Sequence, residues 1–305
     1  MMGTVVTIQI VGHGTNEAER DERDAAVTRA VEWLAQIEAC CTRFDAQSEL
    51  RRLCARVGEA VRVSEMLFEP LRFAMAVAHE TNGAFDPTVG GTMEARGFDR
   101  EHRTGALANS ASVAQAGGSY RDVHVDDVAR TVTIARPLTL DLGAVAKGLA
   151  MDVAARELQP FGDFAIDAGG DVYLGGRNAN REPWTVGIRH PRAPHEVIET
   201  IHVCDMAVCT SGDYERAGVA TDGGHHIVDG RSRMSTMLLA SATVIASHAM
   251  VADALATAAF VLGPEKGIEL LEAHGVAGVL FTPTLGRFAT AGCIAERLTT
   301  HGADA

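Results

Sequence analysis

FAIDAGGDVYLGG (Phe164 to Gly176) reads as a buried strand, a very small turn at Gly169-Gly170 and a second strand. A connection this short joins antiparallel strands. Residues 163 to 245 continue in the same way, as successive strands broken by the glycine pairs Gly169-Gly170, Gly175-Gly176 and Gly223-Gly224 and by prolines. Upstream, VHV (Val123 to Val125) and TVTIA (Thr131 to Ala135) are strands separated by the polar turn Asp126-Asp127. Leu138 to Leu142 is a third apolar run, expected as a strand that ends at Asp141 and leads into a helix carrying Lys147. At the N-terminus Val6, Ile8 and Ile10 alternate with Val5, Thr7 and Gln9 in another strand.

Helices fill the remainder. A long amphipathic one is expected from about Thr15 to Cys41, then a loop turning into a short helix over Arg43 to Leu53. Ser64 is a fitting N-cap for a helix that ends at Asn82-Gly83. Gly90 to Gly118 reads as loop and short helix. Near the C-terminal end ADALATA (Ala252 to Ala258) is helical, Gly263-Pro264 is a stop followed by a start, and a short helix to Gly275 leads into the strand VAGVLF (Val276 to Phe281). The fold class is α+β, a mainly antiparallel sheet with packed helices, taken as a single domain over residues 1–305.

The 305 residues, 47% hydrophobic and 5% aromatic, suffice for a sizeable core. Against 27 Lys and Arg stand 40 Asp and Glu, and the net charge of −13 opposes nucleic acid and anionic membrane as partners. An anionic small ligand therefore needs local help from a metal ion, a helix N-terminus or a glycine-rich nest. The N-terminus has neither a basic n-region nor a long apolar run, so the sequence predicts no signal peptide and a cytoplasmic protein. No run of eighteen apolar residues predicts a membrane helix. The six cysteines show no CxxC or metal spacing and are expected as free thiols.

Asp253 and Thr257 stand four apart in ADALATA, so a carboxylate and a hydroxyl share one helix face, both hard oxygen donors of the kind Mg²⁺ prefers. The same spacing also fits an ordinary solvated face. TNGAFDPTVGG (Thr81 to Gly91) flanks Phe85-Asp86-Pro87 with glycine turns, which suits close approach to a ligand or simply a helix cap and loop. LDLGAVAKGLAMD (Leu140 to Asp152) opens a helix after a glycine turn; its amides can cradle a phosphate with Lys147 adding charge, or it is a tight connection with Lys147 in solvent. The vicinal glycines of DAGGD either allow backbone to pack on backbone or leave room for a flat ligand. CTSGDYER (Cys209 to Arg216) and HHIVDGR (His225 to Arg231) complete the set, and His226 is the best general-base candidate among twelve histidines, or else a satisfied structural residue of its loop.

In order and wording these segments resemble the FAD:protein FMN transferase family of the ApbE type. The resemblance runs from MGT (Met2 to Thr4) through RFDAQSELRRL, GAFDPTVGG, Gly97-Phe98, LDLGAVAKGLAMD, DAGGDVYLGG, WTVGIRHP, CTSGDYER and HHIVDG to ADALATAAFVLG. It implies a two-lobed fold with a flavin cleft between lobes. It also implies Mg²⁺-dependent transfer of FMN from FAD to a Thr or Ser hydroxyl of a target flavoprotein, with release of AMP. Under it Asp253, Thr257 and the backbone carbonyl of Ala144 are the Mg²⁺ ligands. Met2, Phe44, Ala84, Phe85, Asp86 and Asp141 line the FAD site with Lys147, and His226 activates the acceptor hydroxyl. The rival readings are an FAD pyrophosphatase yielding FMN and AMP, and a flavin carrier without chemistry.

The chain departs from the family pattern at five places. Cys54 and Asp167 stand where the family has Asn, Arg96 where it has an aromatic residue, Gly230 where it has proline, and His248 falls where an acidic residue is common.

Overall fold

The FAIDAGGDVYLGG segment forms the hairpin its sequence predicts in the computed structural model, which describes residues 3–12, 16–100, 118–215, 224–293 and 295–297. Ala168 pairs with Asp171 across the turn, and Gly169 (φ +71°) and Gly170 (φ +97°) supply the two left-handed conformations that a tight two-residue hairpin needs. The two glycines resolve the sequence alternatives differently. A Cβ on Gly169 would lie 2.2 Å from Thr4 Oγ1, so this glycine serves close packing, whereas nothing lies within 4 Å of a Cβ on Gly170.

In chain order the elements are β1 (Val6–Ile10), α1 (Glu17–Cys41), α2 (Glu49–Cys54), β2 (Ala60–Arg62), α3 (Glu65–Glu80), α4 (Gly90–Ala95), β3 (Val123–Asp126), β4 (Thr131–Ile134), α5 (Gly143–Leu158), β5 (Phe164–Ala168) and β6 (Asp171–Gly175). There follow β7 (Trp184–Arg189), β8 (Val197–Val203), β9 (Met206–Gly212), β10 (Ser241–Ala246), α6 (Ala249–Leu262), α7 (Pro264–Ala273), β11 (Ala277–Phe281), β12 (Arg287–Ala289) and β13 (Ala295–Arg297). The main sheet runs β1-β5-β6-β9-β10-β11-β12, and smaller sheets run β13-β8-β7 and β2-β4-β3. Every named pairing is antiparallel, as expected of this α+β class. The cysteines among the described residues are free thiols.

Two local expectations are corrected. Leu138 to Leu142 forms no strand: Leu140 and Leu142 are buried, but the Asp141 amide donates to Pro87 O at 2.7 Å, a loop carbonyl outside any ladder. Ser64 stands at the N-cap position of α3 with extended backbone, yet its hydroxyl and amide both donate to Glu49, at 2.5 and 2.6 Å, and its side chain accepts no amide of the helix. The other end of α3 closes as the sequence suggests. Asn82 and Gly83 take positive φ, and Gly83 N reaches back to Ala78 O at 2.8 Å.

The site is positioned by α5 and α6. Helix α6 is buried almost all round, packed between α5, α7 and strands β9 and β10. Helix α5 approaches it at Gly148, where a Cβ would lie 2.4 Å from Ala249 O. One turn further along, the buried Asp152 carboxylate accepts the Ala249 amide at 2.6 Å and the Met250 amide at 3.0 Å, satisfying the first free N–H groups of α6. Burial pushes the Asp152 carboxyl above its ordinary range, and these two amides oppose that shift. Asp152→Ala is expected to lower stability by about 1–2 kcal/mol through loss of this cap, read as a fall in thermal midpoint. An unchanged midpoint would show that the cap contributes nothing.

Candidate functional site

A carboxylate on a helix buried on all sides needs a partner, and Asp253 has one in Lys147. The Lys147 ammonium lies 3.2 Å from Asp253 Oδ2 and bonds directly to Asp171 Oδ2. The second Asp171 oxygen accepts the Thr210 amide at 2.7 Å. Lys147 is therefore held between two buried carboxylates, which excludes the solvent-exposed alternative. Asp253 Oδ2 is itself buried and accepts no hydrogen bond. One turn along α6, Thr257 Oγ1 lies 3.0 Å from Ser211 Oγ. Ala144 sits in the first turn of α5, one turn before Lys147.

These groups fit a hard divalent cation. Asp253 offers an oxygen that lacks a hydrogen bond, Thr257 a hydroxyl on the same face and Ala144 a carbonyl, all oxygen donors of the kind that suits Mg²⁺. Among the described residues no group of three or more His, Cys, Asp or Glu is placed to hold a metal.

Of the predicted flavin-site residues, Asp141 and Phe44 are brought together through Arg43. Asp141 Oδ1 accepts the Gly143 amide at 2.7 Å, at the start of α5, and its Oδ2 accepts Arg43 Nε at 2.7 Å. The buried Arg43 guanidinium also lies over the Phe44 ring, 4.2 Å from its centroid, and donates to Phe98 O at 2.5 Å. Ala84 and Phe85 are buried in the loop after α3. The Asp86 carboxylate turns into the fold: Oδ1 accepts the Thr88 amide and hydroxyl at 2.8 and 2.7 Å, and Oδ2 accepts the Tyr120 amide at 3.2 Å. Its visible role is to shape that loop. Met2 lies outside the described residues.

His226 stands on a loop tied to the Ala84 loop through the Gly230 amide. Its Nδ1 lies 3.0 Å from Glu215 O, and its ring meets Phe98 edge-on with centroids 6.4 Å apart. The neighbouring His225 is structural. Its Nδ1 accepts the Ile227 amide at 3.2 Å while Nε2 pairs with Thr236 O at 2.7 Å, so both nitrogens serve the loop as a neutral ring. Burial lowers the His225 pKa below 6.5, against the opposing Thr236 hydrogen bond. The folded state then binds fewer protons than the unfolded chain, so this contribution is present above about pH 6.5 and is lost as pH falls through the folded value. Wild type should lose thermal stability between pH 7 and pH 5 more steeply than His225→Gln, and equal slopes would reject the assignment.

Three of the departures acquire a physical account. Gly230 N donates to Ala84 O at 3.0 Å, a bond that proline cannot make, and a Cβ there would lie 2.3 Å from Asp86 Cβ. The His226 loop is thereby stitched to the Phe85 loop. Arg96 is buried and its Nη2 donates to Ser235 Oγ at 2.7 Å, bracing the same loop from behind. Asp167 accepts the Gly170 amide at 2.9 Å and closes the hairpin turn from an exposed position.

Sequence reasoning missed Asp171 and the role of CTSGDYER. Thr210, Ser211 and Glu215 of that segment touch Asp171, Thr257 and His226 respectively, from the end of β9 and the turn after it.

A family model described as the ApbE family matches residues 2–281. The chain is 32% identical, over 90% of its length and 81% of the relative's, to a Treponema pallidum protein named FAD:protein FMN transferase. It is 28% identical to a Haemophilus influenzae protein of the same name, covering 95% of this chain and 86% of the relative. The crystal structure of the ApbE protein of Thermotoga maritima matches with a TM-score of 0.79 at 30% identity, covering 95% of this chain and 94% of that one. The flavin transferase ApbE of Vibrio cholerae matches with a TM-score of 0.78 at 25% identity, again over 95% and 94%. With the family model spanning nearly the whole chain, the chain belongs to the ApbE family.

Proposed function

We propose that this protein is a Mg²⁺-dependent FAD:protein FMN transferase that moves FMN from FAD to a Thr or Ser hydroxyl of a target flavoprotein and releases AMP. The observation that carries the reading is the buried Asp253 oxygen without a hydrogen bond, beside Lys147 and one turn from the Thr257 hydroxyl. Asp253, Thr257 and the Ala144 carbonyl would hold Mg²⁺. Bound there, the ion would supply Lewis acidity toward the pyrophosphate.

The chain's own groups do the rest. Phe44 offers a ring to the flavin, with Met2, Ala84, Phe85, Asp86 and Asp141 lining the same region and Lys147 adding positive charge for the phosphates. When Nδ1 of a neutral His226 donates to Glu215 O, the ring's lone pair is at Nε2. That nitrogen takes the proton of the acceptor hydroxyl as its oxygen bonds to the FMN phosphorus, and the bond from that phosphorus to the AMP oxygen breaks.

The test is incubation with FAD and Mg²⁺, with and without a Thr-bearing acceptor domain from a covalent-flavin protein, following AMP release and acceptor mass. An FMN-sized mass gain is the expected result. AMP and FMN without a mass gain would make water the nucleophile, and intact FAD in both tubes would leave a carrier.

A further inference from the structure

We propose that Met234, Met237 and Leu238 form the surface on which the acceptor protein lays apolar residues flanking its target hydroxyl. The proposal rests on the transferase reading and adds the partner's docking site to it. Met237 is 71% exposed, Met234 55% and Leu238 53%, three large apolar side chains within five residues. The other exposed large apolar side chains are scattered singly along the chain, as is usual on a soluble surface.

The patch is fixed relative to His226. Val228 bridges Ser235 antiparallel, and the Asp229 amide donates to Met234 O at 2.9 Å. Ser235 Oγ donates to His225 O at 2.6 Å and accepts Arg96 Nη2 at 2.7 Å. His225 Nε2 meets Thr236 O, next to Met237. One arm of this braced loop thus carries the general base and the other carries the apolar patch. A protein whose hydroxyl reaches His226 must lie against what surrounds it.

The surrounding charges favour an apolar occupant. Among the described residues Arg231 pairs with Asp229 at 2.7 Å, Arg189 with Glu215 at 3.2 Å and Arg192 with Asp213 at 2.7 Å, so these arginines are already partnered and offer little to a charged segment. Methionines adapt their shape to apolar partners at little cost, which suits a segment that must also place a hydroxyl. Neither methionine is among the groups placed at the metal or the flavin.

Met234→Gln combined with Met237→Gln tests the surface. Leu238 is retained because it packs against Gly263 at the break between α6 and α7. With an acceptor domain as substrate, the variant should show a KM for acceptor raised about tenfold, with kcat at saturating acceptor unchanged. FAD binding, read by quenching of flavin fluorescence, should match wild type. Replacing the apolar neighbour of the target Thr in the acceptor by Ser should raise KM for wild type and add little in the variant. Acceptor modification by wild type with an unchanged KM in the variant overturns the docking surface alone. Failure of wild type to modify the acceptor overturns the transferase reading and the surface with it. A wild-type dimer that the variant converts to monomer, with acceptor KM unchanged, assigns the patch to a second copy of the chain and overturns the proposal.

Discussion

Asp253→Ala is expected to cut Mg²⁺-dependent AMP release from FAD by at least about 10²-fold while the protein remains folded. The catalytic loss follows from the donor set. In the proposed donor set Asp253 is the carboxylate, and a hydroxyl and a carbonyl without that charge hold Mg²⁺ poorly. The small structural cost follows from Lys147, which keeps its bond to Asp171 when Asp253 is removed. Deleting one member of a buried ion pair is usually costly because the other charge is left alone, and here it is not left alone. The deletion also removes a buried oxygen that accepts no hydrogen bond. Turnover with and without EDTA, Mg²⁺ affinity by calorimetry and a thermal melt check the three parts separately. Unchanged Mg²⁺ affinity would remove Asp253 from the ligand set, and a collapsed melt would show that its role is architectural.

His226→Ala is expected to lower transfer to the acceptor hydroxyl by about 10²–10⁴-fold, the ordinary span for a positioned general base. FAD binding should be unaffected, because the aromatic ring and carboxylates placed around the flavin lie on other segments. The fold should tolerate the change, since the loop is held by His225, Ser235, Arg96 and the Gly230 bond to Ala84. Single-turnover transfer with saturating FAD isolates the chemical step. An undiminished rate would reject His226 as the base. A loss recovered at high pH, where a hydroxyl ionises more readily without help, would support it.

Much of the fold was legible because its signals are local. The glycine pair in DAGGD announces a hairpin, Asn82-Gly83 announces a helix end, and the alternation in β1 announces its half-buried face. The miss at Leu138 to Leu142 has a physical reason. Alternating apolar residues report burial, and Leu140 and Leu142 are indeed buried, but burial alone does not supply a strand partner. Ser64 does take the N-cap position, but its side chain turns to Glu49, fifteen residues earlier, and accepts no helix amide.

The site was legible residue by residue more than as an arrangement. The spacing of Asp253 and Thr257 made a donor face readable, but nothing near Lys147 in sequence shows that Asp171, twenty-four residues on, will clasp it. Asp152 was equally silent: a carboxylate at the end of an alanine-rich stretch reveals nothing of a helix start almost a hundred residues away. Partners distant along the chain are chosen by packing, and packing is what a single sequence encodes least directly.

Helix α5 touches α6 at two successive turns, through Lys147 and Gly148 and again through Asp152. A rod fastened to another at a single point can swivel; fastened at two, it cannot. The separation between Ala144 on one rod and Asp253 on the other is then set by the fastening, whatever happens at the periphery. On the docking proposal, substitutions in the loop bearing Met234 and Met237 change the acceptor surface while the α5–α6 fastening, and with it the spacing of Ala144 and Asp253, stays as it is.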